Sequence, residues 1–76
     1  MKMPSNKELR LFIIDHFSDA ELETFCFDYF MEVRNNFSGG MRKSDKVMDL
    51  IQYCANRKLM DILLFNLRLE REKPYQ

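Results

Sequence analysis

DHFSDAELETFCFDYFME, residues 15–32, carries two readings at once. Its spacing decides the fold. Ser18 followed three positions later by Glu21 is the capping-box pattern that opens a helix, and Leu22, Phe25, Cys26 and Tyr29 then recur at helical spacing. A helix running to about Asp28 is therefore predicted. Its charge is lopsided, because Asp15, Asp19, Glu21, Glu23, Asp28 and Glu32 stand in it with no lysine or arginine.

Working outward from this stretch, the same device appears upstream in SNKELRLFIIDHF. Ser5 and Glu8 form a capping-box pair, and Leu9, Phe12, Ile13 and Phe17 fall on one face, which predicts a first helix over about residues 6–16. Downstream, FDYFMEV reads as a short third helix offering Phe27, Phe30 and Val33. RNNFSGGMRK then breaks the pattern with turn-forming residues, including Gly39 and Gly40, which are the chain's two glycines. Ser44 is the expected cap of the next helix, with Val47, Leu50, Ile51 and Cys54 as its buried stripe and Arg57 and Lys58 near its negative end. From Leu59, LMDILLFNLRLERE reads as helix throughout, with Ile62, Leu63, Phe65, Leu67 and Leu69 apolar on more than one side. No segment alternates as a half-buried strand does, so the expected class is all-α, a compact five- to six-helix antiparallel bundle. One domain spans residues 1–76, with a folded core over about 6–70 and residues 71–76 as a tail or the start of a charged linker.

At 76 residues a chain buries only about 60% of the surface it exposes when unfolded, so its core is small. A hydrophobic content of 46%, with seven Phe and three Tyr, still excludes a disordered chain. Twelve basic and twelve acidic residues cancel, so no global field draws the molecule to nucleic acid or to an anionic membrane. Electrostatic recognition, where present, is local. No apolar run approaches a bilayer span and the first residues lack a signal peptide's pattern, which makes a cytoplasmic location the expectation.

Catalytic and ligand patterns fail on inspection. GGMRKS places Lys43 and Ser44 at a helix start, but the phosphate-loop pattern GxxxxGKS would need glycines where Phe37 and Arg42 stand, and no strand precedes them. Cys26 and Cys54 lack CxxC spacing, and with His16 as the lone histidine they cannot build a four-ligand zinc site; small apolar thiols are the expectation. His16 itself suits the dipole at a helix carboxyl end. The chain is therefore expected to be no enzyme and to carry no cofactor or metal.

The sorting of charge is the remaining signal. Asp19 and Glu21 suit the first turn of their helix. Asp15 lies near the carboxyl end of the first helix, Asp28 and Glu32 stand four apart, and Glu23 has no basic residue three or four positions away. Conversely, Arg42, Lys43 and Lys46 crowd a helix start, the end that prefers anions. An acidic surface of Asp15, Glu23, Asp28 and Glu32 is thus expected to dock on a basic surface of Arg42, Lys43 and Lys46 in another molecule, with Phe37 and Met41 as an apolar anchor. Two unlike patches meet head to tail, an arrangement that propagates into rings or filaments.

FSDAELETF together with CFDYFMEVRNNFSGGMRKSDKVMDLIQYCANRKLMDILL resembles the bacterial effector-associated domains of the death-like type. Phe17, Ser18, Glu21, Leu22, Cys26, Phe27 and Asp28 match the family's helix-two signature, and Gly40, Lys43, Lys46, Leu50, Tyr53, Cys54 and Arg57 match the loop and helix that follow. The resemblance runs from about Lys7 to Leu67. It departs at ANRKLM, where family members often carry a glycine in the turn that opens the last helix, and at Phe30 and Met31, which replace a smaller loop sequence.

What the resemblance implies is a six-helix bundle of the death-fold type, similar to caspase-recruitment domains. Such a module recruits effectors in prokaryotic defence or signalling by binding the same or a similar death-like domain; the balanced charge, separately, leads us to expect no nucleic-acid or membrane partner. A rival expectation is a regulatory or structural helical domain whose last helix packs on a fused enzyme through Ile62, Phe65 and Leu69.

Overall fold

A computed structural model describes residues 4–72, for Glu72 the backbone alone, and folds them into five helices: α1 Asn6–His16, α2 Asp19–Tyr29, α3 Met31–Asn35, α4 Lys43–Asn56 and α5 Met60–Glu72. The described residues contain no strand. The expected tail over 71–76 lies outside them from residue 73 on.

Both amino-terminal helices begin as their capping boxes predict. The Ser5 hydroxyl accepts the Glu8 amide at 3.1 Å while the Glu8 carboxylate takes the Ser5 amide at 2.9 Å, and Ser18 with Glu21 repeats the exchange at 3.1 and 2.8 Å. Each box satisfies two amides that a helix start would otherwise leave bare. α4 corrects the expectation for Ser44. Its N-cap is Arg42, which makes no side-chain cap, and the Lys46 amide reaches back to the Arg42 carbonyl at 3.1 Å. The helix thus starts before Ser44, with Asp45 as the acidic residue of its first turn.

Placement of the core follows the periodicity. Lys46, Val47, Leu50, Ile51 and Cys54 are all buried on α4, and this helix packs against each of the other four. Leu9 and Ile13 meet it from α1, Leu22, Phe25 and Cys26 from α2, Val33 from α3, and Leu63 and Leu67 from α5. Phe25 sits among rings, its centroid 5.8 Å from Phe17, 5.0 Å from Tyr29 and 6.0 Å from Phe30, tilted or edge-on as aromatic quadrupoles prefer.

Two turns rely on the left-handed region. Gly40 has φ +87° between Ser38 and Met41, whose amide returns to the Ser38 carbonyl at 3.2 Å. Lys58 has φ +59°, and the Leu59 amide bonds the Cys54 carbonyl at 2.7 Å while the Lys58 amide points to Ala55 at 3.4 Å. These two bonds are those of a Schellman turn, which glycine usually closes and lysine closes here.

Candidate interaction surface

The charges that looked misplaced in the sequence largely find partners inside the chain. Lys46 is only 5% exposed, and its Nζ donates to Asp19 at 2.9 Å and to Glu23 at 2.6 Å. One cation thereby reconciles two like charges four apart on α2, and it ties the start of α2 to α4. Beneath it lies the Phe37 ring, 5.6 Å from Nζ to centroid. The Lys46 pKa is raised, first by the bond to Glu23, then by that to Asp19, against the opposing effect of burial.

The other two residues of the expected basic surface divide. Lys43 donates to the Ile14 carbonyl at 2.7 Å, so a cation at the start of α4 serves the negative end of α1. Arg42 projects, its side chain 82% exposed and held by a 3.6 Å contact with Asp45. On the acidic side, Glu32 accepts from the Tyr53 hydroxyl at 2.7 Å and lies 3.9 Å from Arg57, whose guanidinium stacks over the Tyr53 ring at 4.3 Å. Asp15 and Asp28 are exposed and make no hydrogen bond or ion pair with the described residues.

Three site expectations are corrected by this geometry. Glu23 and Lys46 do not stand on separate poles, because the packing of α2 on α4 joins them. Phe37 is no protruding anchor but a half-buried residue packed against the core. Met41 is half-buried too, its sulfur 3.3 Å from the Ser38 amide within its own turn.

Between α2 and the end of α5 runs a groove of about 260 Å³ that includes Phe17, Phe25, Glu21, Asp28, Glu70 and Arg71. Three carboxylates edge an aromatic floor, and the Arg71 guanidinium lies 5.8 Å from the Phe17 centroid. Glu70 accepts from the Tyr29 hydroxyl at 2.6 Å, a bond that raises the Tyr29 pKa ahead of burial. Sequence reasoning named Asp28 but missed the groove, since Glu70 is 41 positions from Tyr29. It also missed the outward Phe27, 53% exposed. Its signal was present, because Phe27 falls off the helical stripe of Leu22, Phe25, Cys26 and Tyr29.

The thiols are unreactive by position. Burial pushes Cys54 up to about 11 and Cys26 up to about 12, so neither is an available nucleophile near neutral pH. His16 stacks on Phe12 with centroids 4.2 Å apart, its Nδ1 2.9 Å from the Phe12 carbonyl oxygen. Among the described residues no three His, Cys, Asp or Glu side chains cluster as metal ligands, and no helix is long and apolar enough to cross a membrane.

Comparison with known families gives one match: the family model described as Effector-associated domain 7 matches residues 9–72. That span holds both stretches that carried the resemblance. No curated protein and no solved structure matches the chain.

Proposed function

For a chain that belongs to the Effector-associated domain 7 family, we propose a non-catalytic recruitment module of the death-fold type, which brings effectors together by binding a like domain in a prokaryotic defence or signalling system. The acidic groove of one domain receives the basic α4 corner of the next. Asp28 at the edge of the groove takes the guanidinium of Arg42, while Lys43 keeps its hold on α1 and Lys46 its hold on α2. Asp15 and Glu32 lie outside the groove and add to the acidic field that steers the approach.

The observation that carries this reading is where the charges end up: Lys46, Glu23, Lys43 and Glu32 bond to other elements of the fold, whereas Asp28 makes no ion pair with the described residues and the 82% exposed Arg42 reaches only Asp45 on its own helix. Unlike surfaces on one body associate head to tail. Light scattering at low and high salt tests it together with the variants Asp28→Lys and Arg42→Glu. Assembly is expected to weaken with salt and to fail in either variant; assembly that both variants and salt leave unchanged would refute the reading.

The rival, a domain packed on a fused effector, is favoured by one observation: Ile62, Phe65 and Leu69 are exposed on α5. It expects effector binding to be lost on substitution of that face and retained on charge reversal at Arg42.

A further inference from the structure

α5 carries two apolar stripes. A helix turns about 100° per residue, which sets Ile62, Phe65 and Leu69 within an arc of roughly 60° and opposite the buried Leu63 and Leu67. Phe65 is 67% exposed, the most exposed large apolar side chain among the described residues. One stripe suffices to hold α5 on the bundle. A second, at i, i+3 and i+7, is the pattern of a helix that faces another helix.

The charges beside this stripe indicate which helix. Asp61 and Arg68 lie on the same edge of it, four residues before Phe65 and three after. A two-fold axis through Phe65 sets two α5 helices antiparallel and brings Asp61 of each copy within about 1.5 Å of axial register of Arg68 in the other. Both opposite-charge pairs form by symmetry, whereas a parallel two-fold pair would place the two Asp61/Arg68 edges on opposite sides of the interface, where these residues do not meet. We propose that the outward face of α5 is an isologous interface, on which α5 of a second copy packs antiparallel with Phe65 at the centre. The contact is closed, unlike the head-to-tail contact through Arg42, and it does not depend on that contact. Three residues a side make a small patch, so the dimer is weak and concentration-dependent.

Sedimentation velocity from about 10 µM to 1 mM tests this, in the Arg42→Glu background that removes head-to-tail growth. A monomer–dimer equilibrium is expected, weakened at least about tenfold by Phe65→Glu and, as a second exposed probe, by Ile62→Glu. Asp61→Arg and Arg68→Asp should each weaken it, and the two together in one chain should restore it, because only a self-complementary interface carries both halves of the swap. Thermal melts establish that each variant is folded. A protein monomeric throughout, a dimer indifferent to Phe65→Glu, or a folded double swap no tighter than its singles would overturn the proposal. So would a monomer whose α5 face instead captures the fused effector and loses it on Phe65→Glu. Loss of salt-sensitive assembly in the Arg42→Glu chain with this dimer retained separates the two contacts.

Discussion

The ammonium of Lys46 lies 2.6 Å from a carboxylate oxygen of Glu23, residues 23 positions apart, in a site where the lysine is almost fully buried. Two residues that charge patterning assigns to opposite surfaces therefore form one internal clamp, completed by Asp19 at 2.9 Å. The consequence is a division of labour among the charges. Those at the α2–α4 junction hold the fold, and Asp15 and Asp28, farther out, stay exposed with no ion pair to the described residues.

Charge reversal at the clamp should act on stability, not on association alone. Glu23→Lys would set two ammonium groups against each other, and Lys46→Met would leave two carboxylates without their cation. Because the Asp19 and Glu23 side chains remain 56% and 39% exposed, the expected loss for Lys46→Met is about 1–2 kcal/mol, below the roughly 3–5 kcal/mol of a fully buried pair. Urea denaturation checks it; an unchanged midpoint in both variants would show that the clamp adds nothing.

Stability should fall on the alkaline side. Cys26 and Cys54 titrate near 12 and 11 in the fold against an ordinary 9.0, and Tyr29, Tyr53 and Lys46 are also raised above their ordinary 10.0, 10.0 and 10.5. In every case the unfolded chain releases its proton first. The contribution is therefore complete below the unfolded value and is lost as pH rises through the folded one. Urea midpoints are expected to hold steady to about pH 9 and decline above it, with the onset moving to about pH 10 when both cysteines are alanine. A midpoint that rose between pH 9 and 11 would contradict this.

At the α4–α5 turn, Lys58→Gly should stabilise the protein. Lysine at φ +59° carries the Cβ clash of the left-handed region, and its amide and that of Leu59 already make the turn's hydrogen bonds. Glycine retains both bonds without the clash, a gain of about 1 kcal/mol in a thermal or urea melt.

Ser18→Ala removes the acceptor for the Glu21 amide, 3.1 Å away, at the start of the helix that carries Asp19 and Glu23. A loss of about 1 kcal/mol is expected, and Ser18→Asp, which can still cap, should recover most of it.

The starts of α1 and α2 were legible because Ser5 with Glu8 and Ser18 with Glu21 act within three residues. The buried stripe of α4 was legible from Val47, Leu50, Ile51 and Cys54 for the same local reason. Its first residue was not, since the helix begins at Lys43, whose ammonium reaches Ile14 on another helix. The surplus of charge around Glu23 and Lys46 could be read, but its destination depended on how α2 packs on α4, which no local spacing encodes. Lys58 shows a related limit: the turn looked incomplete without glycine, yet two backbone bonds hold a lysine in the conformation glycine would take.

The most direct measurement of the central claim is sedimentation of Asp28→Lys and Arg42→Glu mixed in equal amounts, with Phe65→Glu in both chains to remove the α5 contact. Each variant keeps one competent surface, the α4 corner in the first and the groove in the second. Each alone should remain monomeric, and the mixture should form one-to-one pairs that grow no further. A mixture that stays monomeric under conditions where the Phe65→Glu parent assembles would contradict the account.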